Sequence, residues 1–138
     1  MHLNIFSDGA SRGNPGHSSI GIVINNDLNQ KVAEVSRYIG VGTNNQAEYT
    51  AVLTALKEAQ KLKAASVTLY IDSELIARQL TGEYKVKNKP LQLFFTEVIK
   101  IMRTFRSFNV VHIERSRNSE ADKLANKALD SFLKNKSV

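Results

Sequence analysis

Hydrophobic and polar residues alternate through Leu3-Asn4-Ile5-Phe6-Ser7-Asp8 and Val32-Ala33-Glu34-Val35-Ser36-Arg37-Tyr38, and apolar residues run together in Ile20-Gly21-Ile22-Val23-Ile24. These patterns predict three strands. The turn-forming run Gly9 to Gly16 and the polar run Asn25 to Asn29 separate them, so an antiparallel meander with short connections is expected. From Asn44 the period changes. Tyr49, Val52, Leu53, Leu56, Ala59 and Leu62 recur at helical spacing, as one face of a long helix. Val67 to Ile71 reads as a fourth strand ending at Asp72, and Ser73 to Leu80 as a helix closed by Thr81-Gly82. Pro90 opens a helix whose buried stripe is Leu91, Phe94, Phe95, Val98, Ile99, Met102 and Phe105. Phe108 to Ile113 is a fifth strand, and Ser119 to about Leu133 a final helix with Leu124, Ala128 and Leu129 inward, before a frayed tail from Lys134 to Val138. The order predicts an α/β domain. Its mixed five-stranded sheet, flanked by helices, joins the meander to two parallel strands reached by helical crossovers.

The 138 residues suit one domain, spanning 1–138, with one core. Composition is that of an ordinary globule, at 42% hydrophobic and 23% charged residues. No apolar run approaches the roughly 20 residues a bilayer requires, and Met1 to Asp8 lacks the features of a secretory signal; a cytoplasmic protein with no membrane partner is expected. The chain has no cysteine, which excludes disulfides, thiolate chemistry and Cys-ligated metals. The net charge of +6 is uneven. Lys85, Lys87, Lys89, Lys100, Arg103 and Arg106 face only one acid, Glu97, within their segment, which suits a polyanionic partner.

Candidate chemistry is acidic. Asp8 and Asp72 close predicted strands, where sites in open α/β sheets gather, while Glu48 and Asp122 fall in the first turns of two helices. Each acid also has a structural explanation. Asn45-Gln46-Ala47-Glu48 and Ser119-Glu120-Ala121-Asp122 resemble capping boxes, Asp72 suits an N-cap, and Asp8 can accept amide bonds in the glycine turn. Four converging carboxylates would repel one another unless cations sat among them, and hard oxygen donors suit Mg²⁺ or Mn²⁺ better than zinc.

Four blocks together resemble the type 1 ribonucleases H: Asp8-Gly9-Ala10-Ser11-Arg12-Gly13-Asn14-Pro15-Gly16, Thr43-Asn44-Asn45-Gln46-Ala47-Glu48, Tyr70-Ile71-Asp72-Ser73, and Asn118-Ser119-Glu120-Ala121-Asp122-Lys123-Leu124-Ala125. They run in the family's order and cover essentially the whole chain. The resemblance implies that Asp8, Glu48, Asp72 and Asp122 hold two divalent ions. It implies endonucleolytic cleavage of the RNA strand of an RNA–DNA hybrid, leaving 5′-phosphate and 3′-hydroxyl ends. By the same likeness, Gly9, Ala10, Ser11, Gln46 and Glu74 lie beside the RNA 2′-hydroxyls, and Asn14, Thr43, Asn44 and Asn45 beside the DNA strand.

Three departures accompany the resemblance. The loop before the last acid reads Glu114-Arg115-Ser116-Arg117-Asn118 and lacks the histidine that many bacterial members carry, leaving Arg115 or Arg117 to replace it. His112 lies in the predicted strand and is expected to be packed or half-buried. With no tryptophan, the basic protrusion of some members is absent, and Tyr84 with Lys85, Lys87 and Lys89 forms a smaller handle for the DNA strand. No hybrid-binding domain is expected before Met1, so affinity is expected to be modest and strongly salt dependent. A monomer is expected. Two alternatives stay open: a nuclease of the same fold acting on DNA, although Ala10 stands where proofreading exonucleases carry a second acid, and a non-catalytic hybrid-binding module.

Overall fold

The computed structural model describes residues 1–136. Its elements are β1 (His2–Gly13), β2 (Gly16–Asn26), β3 (Lys31–Gly42), α1 (Asn44–Lys61), β4 (Ser66–Ile71), α2 (Glu74–Leu80), α3 (Lys89–Met102), β5 (Ser107–His112), a 3₁₀ turn (Arg115–Asn118) and α4 (Ser119–Lys136). The five strands form one sheet in the order β3-β2-β1-β4-β5. β1, β2 and β3 pair antiparallel; β4 joins β1 and β5 joins β4 in parallel. The predicted mixed α/β sheet is the one observed.

Strand lengths differ most from expectation. β1 does not stop at Asp8; it continues through Gly9 to Gly13 because that segment pairs residue for residue with Gly16 to Ile20 of β2. The turn itself is confined to Asn14 and Pro15. Tertiary pairing here overrides the local turn propensity of the glycines. α4 runs to Lys136, past the expected end near Leu133, and residues 137–138 of the expected frayed tail lie outside the described residues.

α1 begins at Asn44, as its periodicity predicts, and is capped by Thr43, whose side chain accepts the Gln46 amide while the Gln46 side chain accepts the Thr43 amide. Such a cap contributes about 1 kcal/mol. It lies two residues upstream of the box read from the sequence. Consequently Glu48 is the fifth helical residue, beyond the first turn, and takes no part in capping. α1 buries Ala47, Tyr49, Ala51, Val52, Ala55, Leu56 and Ala59. The alanines permit a close approach to β1, and the buried face is wider than one stripe because α3 packs on the helix as well.

The core is formed by Leu3, Ile5, Ile20, Ile22, Ile24, Val67, Leu69 and Ile71 from the sheet, with α1, α2 and α3. On the other face α4 packs over β1, β2 and β3, fixed by hydrogen bonds from Ser36 Oγ to the Leu124 carbonyl and from Ser19 Oγ to the Ala125 carbonyl. Asn88 caps α3 by accepting the Leu91 amide, and Pro90 occupies its first turn. Among the described residues, no helix is long and apolar enough to cross a membrane.

Candidate active site

Asp8 lies within β1 opposite Gly21 and is only 5% exposed. Gly9, the next residue, presses its Cα against the backbone of α1 at Ala47 and Glu48, and its amide donates to Glu48 Oε1 at 3.1 Å. Asp72 follows β4. The cap of α2 is its neighbour Ser73, whose side chain accepts the Ile76 amide, so Asp72 is left out of the capping role the sequence allowed it. Ligand oxygens of Asp8, Glu48 and Asp72 all lie within 4.8 Å of one another.

Asp122, in the first turn of α4, stands outside that threefold group but lines the same open cavity of about 340 Å³. Its Oδ1 accepts from Asn126 Nδ2 at 3.2 Å, and Arg115 Nη2 lies 3.9 Å away. Burial first, then the facing charge of Glu48, pushes the Asp8 carboxyl up to about 10, with Asp72 and Asp122 adding to the shift. Burial also raises Glu48, to about 7, held back by hydrogen bonds from Asp8 and the Gly9 amide. Burial and mutual repulsion thus favour a proton retained by the Asp8–Glu48 pair. A cluster this crowded in charge, with oxygen donors only, fits a hard divalent cation, which would replace protons as the neutralising charge.

The remaining predicted residues divide by position. Gly9, Ala10, Ser11, Asn44, Asn45 and Arg115 line the acidic cavity. Asn14, Thr43 and Gln46 gather with Asn44 and Asn45 in an adjoining cavity closed by Asn88, Pro90 and Leu91; Asn14 Oδ1 there accepts the Asn44 amide at 3.1 Å. Glu74 is not among the clustered acids. It pairs with Arg78 at 2.9 Å and lines a separate groove with His112. Lys85 lines an apolar recess with Tyr84 and Phe95, while Lys87 and Lys89 are exposed.

Of the two loop arginines, Arg115 reaches the acids, whereas Arg117 lines a different groove with Phe6 and Val23. His112 is exposed, against the expectation of a packed ring, because β5 is an edge strand; its Nε2 lies 3.3 Å from the Asp72 carbonyl. Asn118 and Asn126 went unnoticed as site residues. Each donates to one of the acids, and the spacing of Asn126 four residues after Asp122 on one helix face was the available signal.

Residues 6–128 match the reverse transcriptase-like family model. Ribonuclease HI of Halobacterium salinarum is 38% identical over 128 residues, covering 93% of this chain and 64% of that protein. The crystal structure of RNase H1 from the same archaeon matches with a TM-score of 0.93 at 37% identity, over 95% of this chain and 99% of that one. A bifunctional protein of Mycobacterium tuberculosis is 38% identical over 132 residues, which are 95% of this chain and 36% of the relative. This chain thus spans about a third of the mycobacterial relative and just under two thirds of the archaeal one. LC11-RNase H1, crystallised in complex with an RNA/DNA hybrid, gives a TM-score of 0.90 at 40% identity over 95% of this chain and 99% of that one. Because the matched span runs from Phe6 in β1 to Ala128 in α4, it contains every acid that meets in the cavity, and the chain belongs to the type 1 ribonucleases H.

Proposed function

We propose that the protein is an endoribonuclease that hydrolyses the RNA strand of RNA–DNA hybrids with two Mg²⁺ or Mn²⁺ ions, releasing 5′-phosphate and 3′-hydroxyl ends. The observation that carries this reading is the meeting of Asp8, Glu48 and Asp72 within 4.8 Å, at an open cavity that Asp122 also lines. Asp8, Glu48, Asp72 and Asp122 would hold the ions. When bound, these supply neutralisation of charge at the phosphodiester and ease deprotonation of the attacking water.

The chain's own residues supply placement. The Gly9 amide orients Glu48, and the backbone from Gly9 to Ser11 lines the cavity where selection of a 2′-hydroxyl has to occur. The asparagine-rich cavity formed by Asn14, Thr43, Asn44, Asn45 and Gln46 suits the other strand, with Lys85, Lys87 and Lys89 neutralising its phosphates. Glu74 keeps a place in this reading only if its pairing with Arg78 opens. Arg115, 3.9 Å from Asp122 and 83% exposed at its side chain, is the loop cation this reading assigns to a departing phosphate, in preference to Arg117. The same reading takes the protein as a monomer acting in the cytoplasm.

With Mg²⁺, the purified protein is expected to cut labelled RNA only when it is paired with DNA. Equal cutting of single-stranded RNA or of a DNA duplex would overturn the reading. Cation uptake should also depend on pH. Asp8 and Glu48 hold protons below about pH 7 in the metal-free cluster, so Mg²⁺ must displace them, and its affinity should rise as pH increases from about 6 to about 9. Calorimetry in two buffers of different ionisation enthalpy reads the released protons; uptake without proton release would contradict the assignment of these two carboxyls.

A further inference from the structure

Asn118 is 1% exposed and ends the 3₁₀ turn that leads into α4. Its Nδ2 donates in two directions, to the Ser7 carbonyl and to Asp72 Oδ2, each at 2.9 Å. The parallel register of β1 with β4 ends at Phe6 opposite Tyr70. Asp8 and Asp72 both lie two residues beyond that last pair, and the Asn118 amide bridges the strands there, holding the neighbour of Asp8 against the carboxylate of Asp72.

The choice of side chain fits this task. One neutral nitrogen supplies both protons, so Asp72 is oriented without a fixed positive charge competing with a cation. Turning the amide over would aim Oδ1 at two acceptors, which fixes the orientation. Asn118 Oδ1 is buried and meets no protein donor, a cost that an apolar residue of similar size would avoid. The side chain is thus explained by where it directs its protons rather than by packing. Since Asn118 also leads directly into α4, the same contact ties the helix carrying Asp122 to the strand ends carrying Asp8 and Asp72.

We propose that Asn118 is a positioning residue, which holds Asp72 in register with Asp8 and thereby sets the affinity of the cluster for divalent cations. The inference rests on the metal-dependent reading above, but it concerns cation binding and can be read without hydrolysis. Calorimetric titration of Asn118→Ala with Mn²⁺, in the absence of nucleic acid, should show affinity weakened about tenfold to a hundredfold. The Mg²⁺ concentration for half-maximal hydrolysis should rise by a similar factor, with KM for the hybrid unchanged and kcat recovered at saturating Mg²⁺. A lower melting temperature with Mn²⁺ affinity within twofold of the parent protein would overturn the proposal.

Should Asn118→Ala not fold, the parent protein provides the test. The Asn118 side-chain amide resonance is expected to shift as Mg²⁺ saturates the site, and a resonance unmoved at saturation would overturn the assignment. Parent protein that binds Mn²⁺ yet cuts no hybrid would sink the ribonuclease reading instead, while the binding comparison still decides the role of Asn118.

Discussion

Asp8→Asn is expected to lose hybrid hydrolysis by about a thousandfold or more and, in the absence of metal, to be more stable than the parent protein. Both effects come from one carboxyl. Asp8 is buried and faces Glu48, Asp72 and Asp122, so its ionised form is disfavoured until a cation arrives. Its pKa, raised from 3.8 to about 10, means that the folded state binds the proton more tightly than the unfolded chain does. Stability attributable to this group is fully present below about pH 4 and is lost as pH rises toward about 10. Asparagine keeps the shape and cannot ionise. At pH 7.5 the variant should be clearly the more stable of the two, with the gain shrinking toward zero near pH 4, where the folded parent and the variant are both neutral at this position. Saturating Mg²⁺ should also narrow the difference, since it binds the folded parent and not the variant. Urea unfolding at the two pH values, with and without Mg²⁺, checks each part. A variant no more stable than its parent at pH 7.5 would refute the charge-crowding argument, and a rate within tenfold would remove Asp8 from the metal site.

The elements were legible in the sequence wherever periodicity ran long. The helix carrying Glu48 announces itself by the spacing from Tyr49 to Leu62, and the acids at positions 72 and 122 fall at element ends, while motif order makes Asp8 conspicuous although it proves to lie within β1. What escaped notice depends on partners distant in the chain. The run from Gly9 to Arg12 reads locally as a turn, yet β2 pairs with it and extends the strand. Capping alternatives for Glu48 and Asp72 could not be dismissed from composition; they fail only because Thr43 and Ser73 occupy the caps. The two loop arginines are alike in sequence and part company because a 3₁₀ turn sends Arg115 toward Asp122 and Arg117 to the opposite side. His112 alternates in step with Phe108 and Val110, which are half-buried, but it is the last residue of the edge strand β5 and its side chain is exposed. Asn118 closes the loop before the last acid in the sequence, and nothing short of coordinates connects it to Ser7 and Asp72, 111 and 46 positions away.

Gly9→Ala is expected to damage both the fold and the site, for a reason unrelated to turn formation. A Cβ at position 9 would lie 2.3 Å from the Ala47 carbonyl carbon, 2.4 Å from the Glu48 nitrogen and 2.6 Å from the Ala47 oxygen. All three are backbone atoms of a packed helix, so no rotamer change relieves the clash; α1 must withdraw from β1 or the strand must bend. Either response opens the closely packed seam lined by Ala47, Ala51 and Ala55, at a cost of about 3 kcal/mol. It also stretches the Gly9 amide contact that orients Glu48, so protein that still folds should lose about a hundredfold in kcat, the scale of a misplacement near 1 Å. Gly82→Ala is the comparison that isolates the cause. Gly82 has φ of +85° and open space around its Cα, so alanine there meets only backbone strain of about 1 kcal/mol, remote from the acids. Urea unfolding and single-turnover kinetics on the two variants would settle the matter. If Gly9→Ala cost no more than Gly82→Ala and hydrolysed hybrid at the parental rate, the close approach of strand and helix would not be what brings Glu48 to Asp8.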